Sequence, residues 1–293
     1  MKKEYDIVSI GHVTNDVRNM MGTKTPFVGG AAFFSPHAAK RSGADVLVIT
    51  KMAEKDTHTL STLTDAGIDV LPLPSKATTS IENIFVTEDQ DNRKLKLLSL
   101  ADPFSADEIP SDIKAKVFHI AALFSGEVPD EMIKSLSKRG KVALDLQAAL
   151  RYIGEDDVYF EDWKEKEKYM PYAHYIKADS LEIKVITGTD DREKAAKILY
   201  GWGGKEIVIT RKDEVLVYDG KDFYRAPFNA KNLDGRAGRG DTCFLSYITR
   251  RFTHTPDDAV HYAAALTSIK MEKSAPFSGT LQDVLDRMKI QAY

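Results

Sequence analysis

GGAAFFSPHAAKRSGADVLVIT, Gly29 to Thr50, changes its hydrophobic period once, and that change sets the architecture. Up to Gly43 the apolar residues recur at helical spacing and run to a glycine stop. From Asp45 to Thr50 they are continuous, short and partly β-branched, as in a strand buried on both faces. The same alternation extends both ways. DIVSIG (6–11) reads as an earlier buried strand, and 56–66 as a helical stretch before another glycine. AKVFHIAAL, KVALDL, HYIKA and EIVIT follow as short apolar strands, with helical segments at 129–138 and 191–200 between them. Strands separated by amphipathic helices predict βαβ units: an α/β fold, a three-layer α/β/α sandwich around a mostly parallel sheet. Two regions break the rhythm. Residues 12–28 are polar and turn-rich, and 78–100 alternate like strands with no helix between them. The expectation is one domain over 1–293 with a small β lid built from these two segments.

Composition narrows the function classes. The 293 residues are 43% apolar and 29% charged, an ordinary globular balance with ample material for a core. A net charge of −3 gives no electrostatic case for nucleic acid or an anionic membrane surface. One cysteine forms no internal disulfide, which favours a reducing compartment. No apolar run suits a signal peptide or a membrane span, so the expected location is cytoplasmic.

In open parallel sheets ligands bind beyond the carboxyl ends of the strands, which directs attention to loops 11–30, 145–151, 177–182 and 233–241. The last contains NLDGRAGRGDTCF, Asn232 to Phe244. Gly235, Gly238 and Gly240 permit close backbone approaches, and FLSYITRRF beyond them is helical in pattern. The amides of 238–241 then lie at a helix start, a place for phosphate or another anion. Asp241 at its lip is either a base that orients a hydroxyl or a helix N-cap. Glu182 and Asp179 lie one helical turn apart, suited to a magnesium ion or to favouring a helix dipole. Phe33 and Phe34 suit helix packing better than a sugar platform. Cys243 has no histidine partner for nucleophilic work, the histidines lack metal-binding spacing, and KEKEK (164–168) reads as a solvated face. Neither G-x-x-x-x-G-K-[ST] nor a G-x-G-x-x-G after the first strand is present.

These elements, in this order, resemble the ribokinase-like (PfkB) carbohydrate kinases. GRGDT is similar to the family's GxGD signature, DIVSIGHVTND to its first strand and following aspartate, and FVGGAAFFSPHAAKRSGADVLVITKMAEKD to its double-glycine helix and second strand. KADSLE resembles its K-x-N-x-x-E element, and EIVITRKDEVLVYD its strand–turn–strand. The resemblance implies a kinase for a hydroxyl of a small sugar or polyol, with Asp241 as base and the Gly238, Arg239 and Gly240 amides as anion hole. It implies an acceptor site at Asp16, Gly29 and Gly30, with His12 and Asn15 as nearby polar candidates. Thr210, Lys177 and Asp179 would border ATP, and Glu182 with Asp179 would hold Mg2+; a monovalent cation is a further cofactor of this resemblance. Exposed lid edges suggest a homodimer. Four departures bear on it: Arg239 where a small residue is usual, Gly235 where aspartate is usual, Asp179 for asparagine, and Lys212 for a glycine near the nucleotide. They motivate an alternative, a weakly active or inactive sugar- or nucleotide-binding protein. A kinase for a nucleoside or another non-sugar alcohol is a third. Arg18, Arg93 and Arg239 leave an already phosphorylated acceptor open.

Overall fold

The computed structural model describes residues 3–87, 93–155 and 157–291. Nine strands form one sheet in the order Phe223–Pro227, Glu214–Tyr218, Glu206–Thr210, Tyr175–Asp179, Lys141–Asp145, Lys114–Ile120, Glu4–Ile10, Val46–Met52, Asp69–Pro74. From Glu206–Thr210 to Asp69–Pro74 every pairing is parallel; the hairpin 214–227 closes the other edge antiparallel. The strands are apolar at successive positions because both faces are covered. Val8, Ile10, Leu47, Ile49, Ile176 and Ile207 enter one core, with helices Asp130–Leu136, Ser180–Thr187 and Arg192–Gly201. Ile7, Val46, Val48, Tyr175 and Val208 enter the other, with helices Ala31–Arg41, Arg239–Arg251 and Pro256–Met271. The result is the α/β/α sandwich that the sequence pattern predicts.

The parallel strands all end on one rim, at Ile10, Met52, Ile120, Asp145, Asp179 and Thr210. Over that rim stands a separate four-stranded sheet in the order Thr23–Gly29, Thr14–Met20, Ser80–Phe85, Lys94–Ser99. Segments 12–28 and 78–100 supply these strands, residues 88–92 lying outside the described ones. Its underside is apolar: Ile81, Leu95 and Leu97 pack with Leu123, Phe124, Ile153 and Val158 of the body. Glu127, buried, accepts the amides of both His12 (2.8 Å) and Leu123 (2.9 Å), joining the first strand's exit to this floor.

Some elements depart from the sequence expectation. The helix expected at 56–66 is a 3-10 turn, Glu54–Leu60, followed by a short helix, Ser61–Asp65. Thr57 and Thr59 hydroxyls donate to carbonyls three residues back, which favours tight turns over a continuous helix. Asp69–Pro74 carries prolines at 72 and 74 and is an edge strand, where a missing N–H is tolerated. Arg151–Ile153 and Val158–Phe160 pair as a small ribbon that alternation over three residues is too short to reveal. Among the described residues no helix is long and apolar enough to cross a membrane.

Candidate active site

Helix Arg239–Arg251 begins at Gly238, whose φ of 72° lies in the left-handed region. A Cβ there would also fall 2.2 Å from Cγ of Phe34, so the position admits only glycine. In the first turn the Arg239 amide donates to the Arg236 carbonyl at 3.2 Å, and Thr242 to Gly238 at 2.9 Å. The amides of Gly240 and Asp241 have no partner among the described residues. Of the amides expected to form an anion hole, that of Arg239 is spent on the turn, whereas those of Gly238 and Gly240, with Asp241 next to them, have no partner among the described residues. The N-cap is Gly238, so Asp241 is not capping; its carboxylate lines a cleft between body and lid. Burial there raises its pKa to about 6; Lys177, Arg151 and Lys270 oppose the rise and Asp145 adds to it.

Beneath this turn lies Lys177, buried at the end of Tyr175–Asp179. Its Nζ is 3.0 Å from Asp145 Oδ2 and 3.6 Å from Glu182 Oε2. Burial disfavours its charge, but Asp145 and Glu182 outweigh that and the net shift is upward. A Cβ on Gly240 would come within 3.1 Å of Lys177 Cε and 3.6 Å of Thr210 Oγ1. Thr210 and Lys177 thus form the floor under the free amides. Asp179 caps helix Ser180–Thr187, accepting from Leu181 (2.8 Å) and Glu182 (2.9 Å), while Glu182 accepts the Asp179 amide at 2.7 Å. Each keeps one carboxylate oxygen outside these bonds. Burial, then the Asp179 charge, pushes Glu182 well above the usual carboxylate range.

A second lysine braces the turn from behind. Lys270, buried, donates to the Gly235 carbonyl at 2.7 Å and also to that of Ala237, and its Nζ lies 4.9 Å from the Phe34 ring centroid. Burial lowers its pKa to about 8, against the pull of Asp241. Gly235 is fixed too, since a Cβ would sit 1.7 Å from the Lys273 carbonyl oxygen; the aspartate usual in the family has no room here.

On the lid wall Asp16 accepts the Ile81 amide at 2.9 Å. Gly29 leaves room for it, since a Cβ there would sit 2.7 Å from Asp16 Oδ2. Gly30, at φ 95°, lies against the His12 carbonyl. Burial raises the Asp16 pKa to about 6, opposed by the Ile81 hydrogen bond, the neighbouring Thr14 hydroxyl, Arg93 and Arg151. Asp16, Gly30 and Asp241 all line the cleft.

Three expected acceptor residues do not: Gly29 stands behind Asp16, and His12 and Asn15 are turned elsewhere. The His12 ring is buried against Thr79 Oγ1 (2.9 Å), the Asp102 carbonyl (3.2 Å) and the face of Phe104, where it ties strand to lid. Asn15 precedes Asp16 on a strand and so faces the other way. Arg239 is absent from the lining, whereas Phe34 both packs the helix and contributes a wall. Sequence reasoning missed Asn83, Gln147 and Arg151, all buried and all in the lining. For Gln147 and Arg151 the signal was that 145–151 follows a parallel strand; Asn83 lies on lid strand Ser80–Phe85. Cys243 is fully buried with its thiol pushed up to about 12, which removes it as a nucleophile. A groove at the opposite rim, beside Tyr172, His174 and Lys205, gathers no carboxylate pair.

Comparison with known proteins agrees with this geometry. Residues 5–280 match the model of the pfkB family carbohydrate kinases, and the chain belongs to that family. A cytidine kinase of Thermococcus kodakarensis is 31% identical, over 80% of this chain and 84% of that protein. A solved pyrophosphate-dependent kinase of the ribokinase family, in a sulfate complex, is 34% identical with TM-score 0.89, covering 96% of this chain and 99% of that one. A structure of such a kinase with a pyrophosphate analog and myo-inositol is 33% identical with TM-score 0.88, covering 98% and 100%.

Two substitutions test the geometry. Lys270→Met strands two buried carbonyls and should destabilise the fold by roughly 1–3 kcal/mol in urea unfolding. It should also lower kcat by about tenfold or more, through loss of the turn's geometry. Asp16→Asn should act oppositely on stability. The folded pKa lies above the unfolded one, so the contribution of Asp16 is full below about pH 4 and lost as pH rises through about 6. At pH 7 the Asn variant should therefore unfold at higher denaturant, by roughly 1–3 kcal/mol, with the gain vanishing near pH 4. Its acceptor KM should rise about tenfold or more, since one hydroxyl-accepting charge is gone.

Proposed function

We propose that this pfkB-family enzyme phosphorylates a hydroxyl of a small polyol or sugar-like acceptor, with Asp241 as the base. One observation carries the reading: the Asp241 carboxylate stands beside two partnerless helix-start amides, at the end of a cleft whose other wall presents Asp16. Asp16 accepts hydroxyl hydrogen bonds and sets the acceptor's orientation. Asp241 accepts the proton of the attacking hydroxyl late in the reaction, as the phosphorus–oxygen bond forms. Its raised pKa makes it a better base at neutral pH than an ordinary aspartate, while it stays largely ionised. The Gly240 and Asp241 amides take charge on the transferred phosphoryl group, and Lys177 beneath them adds a fixed positive charge. Positioning and electrostatics of this kind supply most of the catalysis in phosphoryl transfer. The lid excludes water from the cleft and limits hydrolysis of the donor.

ATP with magnesium is the donor that the family resemblance implies. Asp179 and Glu182 fit a hard, oxygen-preferring divalent ion: each has an uncommitted carboxylate oxygen, and Asp145 and Asp241 add further negative charge nearby. Magnesium there would neutralise charge on the donor's phosphates.

Pyrophosphate is the donor we favour over ATP. Two structural relatives at 33–34% identity are pyrophosphate-dependent. The turn after Thr210 carries exposed Lys212 in place of an open glycine, which suits a compact anion better than a nucleoside. A cyclic polyol is the favoured acceptor on the relative solved with myo-inositol, and a nucleoside the second, on the cytidine kinase.

Purified protein incubated with ATP or pyrophosphate against myo-inositol, ribose and cytidine, with products followed by phosphorus NMR, tests both choices. Pyrophosphate with a cyclic polyol should turn over fastest; faster turnover with ATP sinks the donor assignment. Asp241→Asn should lose about a thousandfold in kcat while acceptor-induced thermal stabilisation survives. Binding without turnover on any pair would instead support an inactive binding protein. The kcat/KM profile should fall below about pH 6, because the base must be ionised.

A further inference from the structure

Behind the glycine turn two main-chain carbonyls converge on one point. They belong to Gly235 and Ala237, and the Lys270 ammonium fills the space between them, 2.7 Å from the first and hydrogen-bonded to the second. Hard cations seek oxygens gathered in this way, and a monovalent cation is among the cofactors that the family resemblance implies. The residues present do not fit a bound ion at this point. Lys270 is only 2% exposed and comes from the last turn of helix Pro256–Met271, whose carbonyl end itself favours a cation. The Phe34 ring closes another side, its centroid 4.9 Å from Nζ. Gly235 brings no carboxylate to the place, and a Cβ there would meet the Lys273 carbonyl oxygen at 1.7 Å, so no ion-binding side chain can be added. The carbonyl pair is already served by a cation that the chain carries itself.

An ammonium group and a potassium ion each carry one positive charge at similar size, so either can hold two carbonyl dipoles that would otherwise repel. The charge also acts on the front of the turn. The Ala237 carbonyl shares its peptide unit with the Gly238 amide, which has no partner among the described residues. A cation on the oxygen of a peptide polarises its N–H and makes that amide a stronger donor. A free ion has to be captured, at a cost in translational freedom, whereas a tethered one is in place at any salt concentration. We infer that Lys270 is a built-in replacement for a monovalent cation, so that the phosphoryl-transfer site of this chain works without potassium or any other alkali ion. Lys270 is thus a positioning residue that acts through the turn. The inference rests on the kinase reading for what the turn does, whereas the hold of the ammonium on the two carbonyls is independent of it.

The test exchanges the full-length protein, donor and acceptor into tetramethylammonium buffer, whose cation is too bulky for the carbonyl pair. Turnover and thermal unfolding are then followed as potassium or ammonium chloride replaces tetramethylammonium chloride at constant ionic strength. For the native protein kcat should change by about twofold or less and Tm by about 1 °C or less. A rise in native kcat of roughly fivefold or more, or a saturable rise in Tm, with either ion overturns the inference. Lys270→Ala opens the space and should lose about tenfold or more in kcat and several degrees in Tm. Potassium or ammonium should restore roughly threefold or more of that kcat and part of that Tm, saturably, because a free ion now enters between the carbonyls. Lys270→Met refills most of the space with an apolar chain and should gain little from either ion. An Ala variant that no cation rescues marks the lysine as a structural prop, and equal rescue of both variants marks a general salt effect; each outcome overturns the replacement. If Lys270→Ala does not fold, the native titration decides alone. Absence of native turnover with every donor would sink the kinase reading, while the thermal unfolding series would still show whether the ammonium or an ion serves the carbonyls.

Discussion

The site depends on a single buried ammonium. Lys177 lies under the helix start with Asp145 on one side and Glu182 on the other, while Asp179 and Asp241 contribute to its field. Four carboxylates around one lysine leave an excess of negative charge, and burial makes that excess costly. Burial first, and the neighbouring carboxylates after it, push Glu182 and Asp241 above ordinary carboxylate behaviour, while Lys177 opposes both shifts. Lys177 makes the arrangement tolerable because it touches the carboxylates at its sides and lies within reach of the glycine turn above. A cluster of this kind is unfinished alone. A divalent cation would relieve it, and the anion on the amides would be held by the cations around it.

Glycine is what allows backbone to serve as the binding surface. At 238 it answers both a left-handed φ and the ring of Phe34; at 240 it lets the chain lie directly on Lys177; at 29 it makes room for Asp16. Lys270 then fixes the turn from behind by binding the Gly235 and Ala237 carbonyls. The turn that carries the Gly240 and Asp241 amides is thereby fixed, as the proposed anion site requires. Such preorganisation is why two amides can stabilise developing charge that mobile water would have to reorient to meet.

Much of this was legible in the sequence, for reasons that separate local from long-range information. Buried parallel strands read as continuous apolar runs, and a glycine-rich turn before a helix announces its free amides wherever it occurs. Asp16 and Asp241 were reachable because each follows a strand at a short distance. What stayed hidden depends on pairing across the fold. Arg151, Gln147 and Asn83 enter the cleft only because the ribbon and lid strands bring them there, and neither ribbon strand is long enough to show a period. His12 looked like a binding residue because it is polar and near the rim. Its ring is taken by Thr79 and Asp102, which lie 67 and 90 residues away in the chain. The Arg239 amide was lost to a turn with Arg236, a detail set by backbone geometry and invisible in composition.

Asp16 and Asp241 also show why a perturbed pKa does not by itself name a role. Both are aspartates, both are desolvated, and both rise to about 6. Their partners separate them. Asp16 spends one oxygen on the Ile81 amide, which fixes its orientation on the lid. Asp241 makes no such bond and stands at the helix start beside amides without a partner among the described residues. Desolvation sets how strongly each carboxylate seeks a hydrogen; the neighbouring donors decide whether that hydrogen is merely held or removed.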